Sequence, residues 1–389
     1  MDDSGLEIVH PLGAPMADDA SCLVIAGGGT GGHLYPGLAV AEALRGLQPN
    51  FKVIVFGTDR PIDRKLTDSC GYELVAQKVR PFPSTLLDSF RFLRVWIHAV
   101  RQAKVFFRER RPAVVLGLGG YAAGPPIVAA EKLGIPTALF NPDAVPGVAN
   151  RKLAGKVDRI FVQWHETTEY FDHSPKVRET GCPIRSEFAR ADRETAVRRF
   201  KLDPGKKTLL ITGASQGAHT INMAVVELID FWKEQDDWQF IHLTGPGDLQ
   251  VCRSRYAEAD LPVLTWAFTE HMPLCMAVAD LVLSRAGAST LAEITAMGRA
   301  SILMPYPFDR KRHQHANARI LVDANAAALV EDVNDAKKNA GDLRNELMSL
   351  MKGEHRRIAM AETAGAMGRH DAAHAIAEAL LEMARGKED

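Results

Sequence analysis

The 389-residue chain has little cysteine, and the five it carries (Cys22, Cys70, Cys182, Cys252, Cys275) are odd in number, scattered and free of any C-x-x-C pair. That pattern argues against a disulfide framework and against a paired-cysteine zinc site, and it fits a reducing cytosol. Net charge is also nearly absent, because 47 Lys and Arg face 48 Asp and Glu to leave −1. There is then no global field to draw nucleic acid or an anionic membrane; nucleic acid is not expected as a partner, and any electrostatic attraction must be local. No apolar run is long enough to span a bilayer, so a membrane would be met from the side. The start, Met1-Asp2-Asp3 with Pro11 and Pro15 following, lacks a basic region leading into an apolar stretch, so no signal peptide is expected.

What is present is an ordinary globular composition, 46% hydrophobic and 24% charged, in a chain long enough for two domains. Beyond a polar lead expected to be flexible over 1–20, short apolar runs read as buried strands at 22–26, 51–56, 113–116, 137–140 and 159–162. A helix is expected from 35 to 47, with Pro36 in its first turn. Such alternation is the mark of a parallel sheet covered on both faces. The pattern restarts with a strand at 207–212, a glycine-bearing turn and a helix at 222–232, then strands at 238–243, 263–266, 281–283 and 301–304. The join falls between Cys182 and Gly205, and the Ala-rich tail from 354 to 383 is helical by propensity.

Three glycine-rich turns follow strands. Gly27-Gly28-Gly29-Thr30-Gly31-Gly32-His33 formally contains G-x-G-x-x-G, which lets backbone N–H groups approach an anion at a helix start. A dinucleotide-binding reading stays open here, with Asp59 as its acidic residue, whereas a nucleoside-triphosphate loop is excluded because no Lys-Ser/Thr follows. Thr212-Gly213-Ala214-Ser215-Gln216-Gly217 resembles a short-chain dehydrogenase opening, but His219 stands where glycine is needed and no Tyr-x-x-x-Lys occurs. What survives is physical: Ser215 and its neighbouring N–H groups can bind phosphate oxygens. The third, Ser284 through Glu293, again places glycine and hydroxyls between a strand and a helix. Glu293 falls about one turn inside that helix, where a carboxylate can accept both hydroxyls of a ribose while Gly287 admits a diphosphate; the competing reading is a plain helix cap with a solvated Glu. Pro305 and His313-Gln314-His315-Ala316-Asn317 then supply polar groups suited to a sugar.

Together these residues resemble the GT-B glycosyltransferases of family 28, the UDP-N-acetylglucosamine transferases of peptidoglycan lipid synthesis. The likeness covers nearly the whole chain after Ala20. It is carried by Gly28 to His33 with Pro36, the stretch 117–125, the stretch 144–151, Thr180-Gly181-Cys182-Pro183-Ile184-Arg185, Ser215-Gln216-Gly217-Ala218, Arg285 to Glu293, and His313-Gln314 to Asn317. It implies an α/β GT-B fold of two Rossmann-like, doubly wound parallel-sheet domains facing across a cleft. The expected division is a lead at 1–20, an acceptor and membrane-side domain at 21–184, a nucleotide-sugar donor domain at 185–365, and a helix at 366–389 returning to the first domain.

The resemblance also implies roles. Glu293 binds the donor ribose, Ser215 and Arg185 lie near the diphosphate or uracil, and Phe268 and Thr269 border the uracil. Gln216, Gly217, Gly287, Ala288, Ser289, His313 and Gln314 complete the donor site, Gln314 and the loop around Ala288 meeting the N-acetylglucosamine. Thr30, Gly31, Gly32, Gly119, Gly120, Tyr121 and Asn141 are acceptor-binding by the same likeness, and His33 sits beside the acceptor hydroxyl. One departure stands out: where the family usually reads His-Glu-Gln-Asn before Ala-x-x-Gly, this chain has Phe140-Asn141-Pro142-Asp143. The region 78–85 also lacks the family's usual glycine-containing loop.

The implied mechanism is an in-line, inverting attack of the acceptor hydroxyl on the anomeric carbon, with His33 or Asp143 taking the proton. The diphosphate leaves toward a helix N-terminus, and with no Asp-x-Asp motif in the chain no divalent metal or other cofactor need be essential. The expected partners are UDP-N-acetylglucosamine, a lipid-linked muramyl-peptide and the anionic inner-membrane surface, placing the protein peripherally on the cytoplasmic face. For that surface the segment 78–111 offers nine Lys and Arg against Asp88 and Glu109, a local +7, with Leu86, Phe90, Leu93, Ile97 and Val100 at helical spacing. The plainer reading is an amphipathic helix whose apolar face is core. Two other functions stay open: a related transferase with another sugar or acceptor, and a nucleotide-sugar-binding protein without turnover.

Overall fold

The computed structural model describes residues 7–9, 22–29, 31–80, 86–213, 216–309 and 311–386, with backbone alone for 7–9, 31, 33, 86 and 87. The chain forms two compact units, one from the segment up to Arg185 together with that from Asp371, the other Ser186–His370.

In the first unit the strands are β1 (Glu7–Val9), β2 (Cys22–Ala26), β3 (Lys52–Gly57), β4 (Glu73–Ala76), β5 (Val114–Gly117), β6 (Thr137–Asn141), β7 (Arg159–Val162) and β8 (Val177–Glu179). The sheet order is β1-β4-β3-β2-β5-β6-β7-β8. Seven strands are parallel; β1, inside the lead expected to be flexible, pairs antiparallel with β4 through Glu7↔Ala76. The helices are α1 (Gly31–Leu47), α2 (Pro61–Cys70), α3 (Leu86–Arg110), α4 (Gly120–Leu133) and α5 (Val148–Leu153). β2 is buried along its whole length, as a strand covered on both faces must be. Val24 and Ala26 join a core with Ala103, Phe106 and Phe107 of α3 and Ile127 of α4. On the other face a Cβ at Gly37 of α1 would lie 2.9 Å from Ile25 Cγ2 and 2.5 Å from Leu118 Cδ1, so only glycine lets α1 lie this close. The chain's last helix, Ala372–Arg385, packs on α1.

The second unit contains α6 (Glu187–Arg190), α7 (Arg193–Phe200), β9 (Lys207–Thr212), α8 (His219–Glu227), α9 (Ile229–Lys233), β10 (Trp238–Leu243), α10 (Leu249–Glu258) and β11 (Val263–Trp266). It continues with α11 (Met272–Val278), β12 (Leu281–Ser284), α12 (Ala288–Ala296), β13 (Ser301–Leu303), α13 (His313–Asp323), β14 (Ala328–Leu329), α14 (Ala336–Lys352) and α15 (Glu354–Ala366). All six strands are parallel, in the order β11-β10-β9-β12-β13-β14. Leu209, Ile211, Leu281 and Leu283 point into a core shared with α8, α9, α10 and α14.

Candidate active site

In an open parallel sheet the crevice for a ligand lies beyond the carboxyl ends of the strands where crossovers diverge to either side. That point is β9/β12 in the second sheet and β2/β5 in the first. The three glycine turns singled out in the sequence leave β2, β9 and β12, and Gly119-Gly120 follow β5.

In the second unit, β9 leads through Gly213 to Gln216 and Gly217, then to α8; Ser215, expected at the diphosphate, lies outside the described residues. The turn is packed to the backbone: a Cβ at Gly217 (φ +77°) would meet the Thr244 carbonyl oxygen at 2.0 Å, and one at Gly213 the Ala218 nitrogen at 2.1 Å. Beneath it His242 is buried, its Nδ1 2.7 Å from Tyr256 Oη and its Nε2 3.0 Å from Asn222 Oδ1. Asn222 Nδ2 donates to the Thr244 carbonyl and to Asp248 Oδ2, both at 2.7 Å. Since Asn222 accepts through Oδ1, His242 donates from Nε2 and takes the Tyr256 proton on Nδ1, which fixes a neutral tautomer. Burial pushes its pKa down to about 3, with Asp248 opposing.

After β12, Gly287 is the N-cap of α12 with extended backbone (φ −70°, ψ 137°) and no side-chain capping bond, so the first-turn amides of Ala288, Ser289 and Thr290 open the helix. Glu293, half-buried, lies in its second turn. Arg285 turns inward: Nη1 donates to the carbonyls of Met304 (2.9 Å) and Pro305 (3.2 Å) and to Asp332 Oδ2 (2.8 Å), while Nη2 donates to Thr220 Oγ1 (2.6 Å). One buried side chain thereby ties together the starts of the loops after β12 and β13, the first turn of α8 and the segment after β14. Burial opposes ionisation of Asp332, but bonds from Thr220, Arg285, the Asn334 N–H and Asn339 outweigh it and hold the carboxyl below the usual range. Asn317 of α13 donates to the Ala286 carbonyl at 3.2 Å, joining α13 to the β12 turn. Gln314 accepts the Tyr306 N–H at 3.0 Å on its carbonyl oxygen, which leaves the amide nitrogen to donate; His313 is its half-buried neighbour. Phe268, 45% exposed, and Thr269 follow β11 on the same sheet edge.

In the first unit, Thr30 lies outside the described residues, and for Gly31 and His33 only the backbone is described. The first helix begins at Gly31, earlier than the expected start at 35, so Gly31, Gly32 and His33 are its opening turn. Gly29 is held from two sides: its N–H donates to Asp63 Oδ1 (2.8 Å) and its carbonyl accepts from Arg60 Nη1 (2.8 Å). Gly119 (φ +83°) is the N-cap of α4, Gly120 opens it, and the Tyr121 hydroxyl lies 3.4 Å from where a Gly29 Cβ would be, so the β2 and β5 turns adjoin. Asn141, expected to meet the acceptor, is 1% exposed; its Nδ2 donates to the Asp143 carbonyl (2.6 Å) and its Oδ1 accepts from Asn150 (3.0 Å). Asp143 is half-buried. Arg185 stacks over the Tyr35 ring, 5.1 Å from its centroid, and falls in this unit, not in the donor unit where it was expected.

Two family models match the chain, the Glycosyltransferase family 28 N-terminal domain over residues 23–162 and the Glycosyltransferase family 28 C-terminal domain over 208–376. A curated relative from Desulforamulus reducens is 33% identical over 356 residues, 90% of this chain and 95% of its own length. The chain belongs to glycosyltransferase family 28. That relative, and one from Prosthecochloris aestuarii that is 37% identical over 372 residues (94% of this chain, 100% of the relative), are both named UDP-N-acetylglucosamine--N-acetylmuramyl-(pentapeptide) pyrophosphoryl-undecaprenol N-acetylglucosamine transferase. The crystal structure of Acinetobacter baumannii MurG matches this family 28 chain with a TM-score of 0.73 at 23% identity, covering 93% of this chain and 99% of that one, a likeness of fold. The fold is the expected GT-B pair of Rossmann-like domains. The family 28 turns are found through their glycines, whereas Asp63 and Asp332 have no glycine or hydroxyl cluster beside them, and His242 lies inside an apolar strand that reads as core.

Proposed function

We propose that the chain transfers N-acetylglucosamine from UDP-N-acetylglucosamine to undecaprenyl-diphospho-N-acetylmuramoyl-pentapeptide, inverting the anomeric carbon. The observation that carries the reading is Glu293 in the second turn of α12, behind the first-turn amides of Ala288 and Ser289 and beside the β9/β12 divergence. A diphosphate at those amides and at the start of α8 would put its ribose hydroxyls within reach of that carboxylate. Phe268 and Thr269 border the uracil; Gln216 and Gly217 line the diphosphate with Ser215; His313 and Gln314 take the sugar. Helix dipoles and N–H donors meet the charge that develops on the leaving UDP, so the reaction calls for no divalent metal.

The acceptor diphosphate is assigned to the opening turns of α1 and α4, with Thr30, Gly31, Gly32, Gly119, Gly120 and Tyr121 around it, and His33 or Asp143 accepts the proton of the attacking hydroxyl. Asn141 supports this site from behind through the Asp143 carbonyl. α3 supplies the surface for the anionic inner leaflet on the cytoplasmic side: Phe90 (73%), Leu93 (53%) and Ile97 (41%) are exposed, flanked by exposed Arg91, Arg94 and Arg101, while Val100 is buried. Among the described residues no helix is long and apolar enough to cross a membrane.

The test is a UDP-release assay crossing several nucleotide sugars with lipid-linked acceptors. Release is expected with UDP-N-acetylglucosamine and the muramyl-pentapeptide lipid together. Release with a different sugar or acceptor would point to a related transferase, and donor binding without release in any combination to a binding protein.

A further inference from the structure

The carboxylate of Asp63 belongs to none of the glycine turns, yet it is completely buried against the first one. It sits in the first turn of α2. Its Oδ2 accepts from the Thr58 N–H (2.9 Å) and the Thr58 hydroxyl (2.7 Å), and both its oxygens face the Gly29 N–H at 2.8 and 2.9 Å. The carboxylate fills the space where residue 28 would carry a side chain, since a Cβ on Gly28 (φ +150°) would lie 2.3 Å from Oδ2. From the same loop, two residues ahead of α2's second residue, Arg60 Nη1 takes the Gly29 carbonyl. Both polar groups of one peptide residue are thus held by the segment 58–63.

The Gly29 N–H, which the glycine pattern offers to an anion, is already bonded to a carboxylate, so an anion at this turn must use amides further on. Those amides open α1 two residues later. We propose that Asp63 is a positioning residue for the acceptor half of the reaction, acting through Gly29 on the opening turn of α1. This rests on the assignment of that turn to the acceptor diphosphate.

Asp63→Asn keeps size but places an N–H₂ group against the Gly29 or Thr58 donors. Transfer kinetics at varied donor and acceptor are expected to show a fall in kcat or a rise in acceptor KM, together about 100-fold in kcat/KM for the acceptor, as displacement of reacting groups by an ångström produces. Donor KM and UDP affinity, which belong to the second unit, should stay within twofold. Arg60→Met, at an exposed residue whose loss does not threaten folding, should move the same acceptor parameters in the same direction by less, and Thr58→Val likewise. Amide exchange read in parallel should show the Gly29 N–H slow in the parent and fast in Asp63→Asn, with the strands unchanged. Donor and acceptor parameters shifting together, or a Gly29 amide equally protected in both proteins, would overturn the proposal. Absence of UDP release in the parent would instead count against the transferase reading, and the exchange experiment would still decide whether Asp63 holds the turn.

Discussion

Arg285 stands in a motif of glycine and hydroxyls at the end of a strand, where a guanidinium invites a phosphate. Its donors go instead to two carbonyls, Thr220 and Asp332, and Asp332 is wholly buried on its side chain. Removing one member of such a pair leaves the other charged and unpaired, which typically costs about 3–5 kcal/mol. Asp332→Asn is therefore expected to lower the urea unfolding free energy of the second unit by that order; a change under 1 kcal/mol would mean the network contributes little. Because the folded carboxyl titrates below its unfolded value, its contribution is complete above about pH 4 and is lost as pH falls through the folded pKa. His242 acts over a wider window. Burial pushes it down to about 3, whereas an unfolded imidazole titrates near 6.5, so the unfolded chain binds the extra proton between these values. Its contribution is full above roughly pH 6.5 and declines by up to about 1.4 kcal/mol per pH unit as pH falls toward 3. Urea midpoints for the parent and His242→Gln between pH 7.5 and 4.5 should diverge in slope, the parent being steeper; parallel slopes would refute the assignment.

At the level of the element, the turns and the one long helix matter most. The β9 turn lies directly against the turn after β10, where a Cβ on Gly217 would meet backbone that cannot swing aside. Gly217→Ala also imposes φ +77° on an L-residue, so a loss of at least about 1–3 kcal/mol is expected, with a parallel loss of UDP affinity by calorimetry. For α3, Phe90→Asp with Leu93→Asp should reduce binding to anionic vesicles at least tenfold and leave UDP affinity unchanged; co-sedimentation insensitive to the substitutions, to salt and to anionic lipid would remove the docking role. The spacing of Phe90, Leu93 and Ile97 was legible in the sequence, but their exposure was not, because period alone does not say which side of a helix meets the core. Likewise the start of α1 was expected at 35, yet the helix runs back to Gly31, because glycine propensity gives no sign that Gly31 and Gly32 join a helix.

For the molecule as a whole, the repeated alternation of apolar runs and helical stretches was enough to give two parallel α/β sheets, because a strand buried on both faces, such as Cys22–Ala26, leaves a plain mark in the sequence. The short edge strands Glu7–Val9, Val177–Glu179 and Ala328–Leu329 left none; two or three residues beside an existing strand need no apolar run of their own. Among candidate site residues, those in glycine turns could be found by local pattern, whereas Asp63 with Gly29 and Arg285 with Asp332 are joined only by folding, across 34 and 47 positions. The proposed transfer requires the second unit to grip a nucleotide diphosphate at the carboxyl edge of its sheet. A crystal structure with UDP bound tests this most directly: the diphosphate should lie against the amides that open α12 and α8, with both ribose hydroxyls on Glu293. UDP bound elsewhere, with Glu293 making no contact to its ribose, would contradict it.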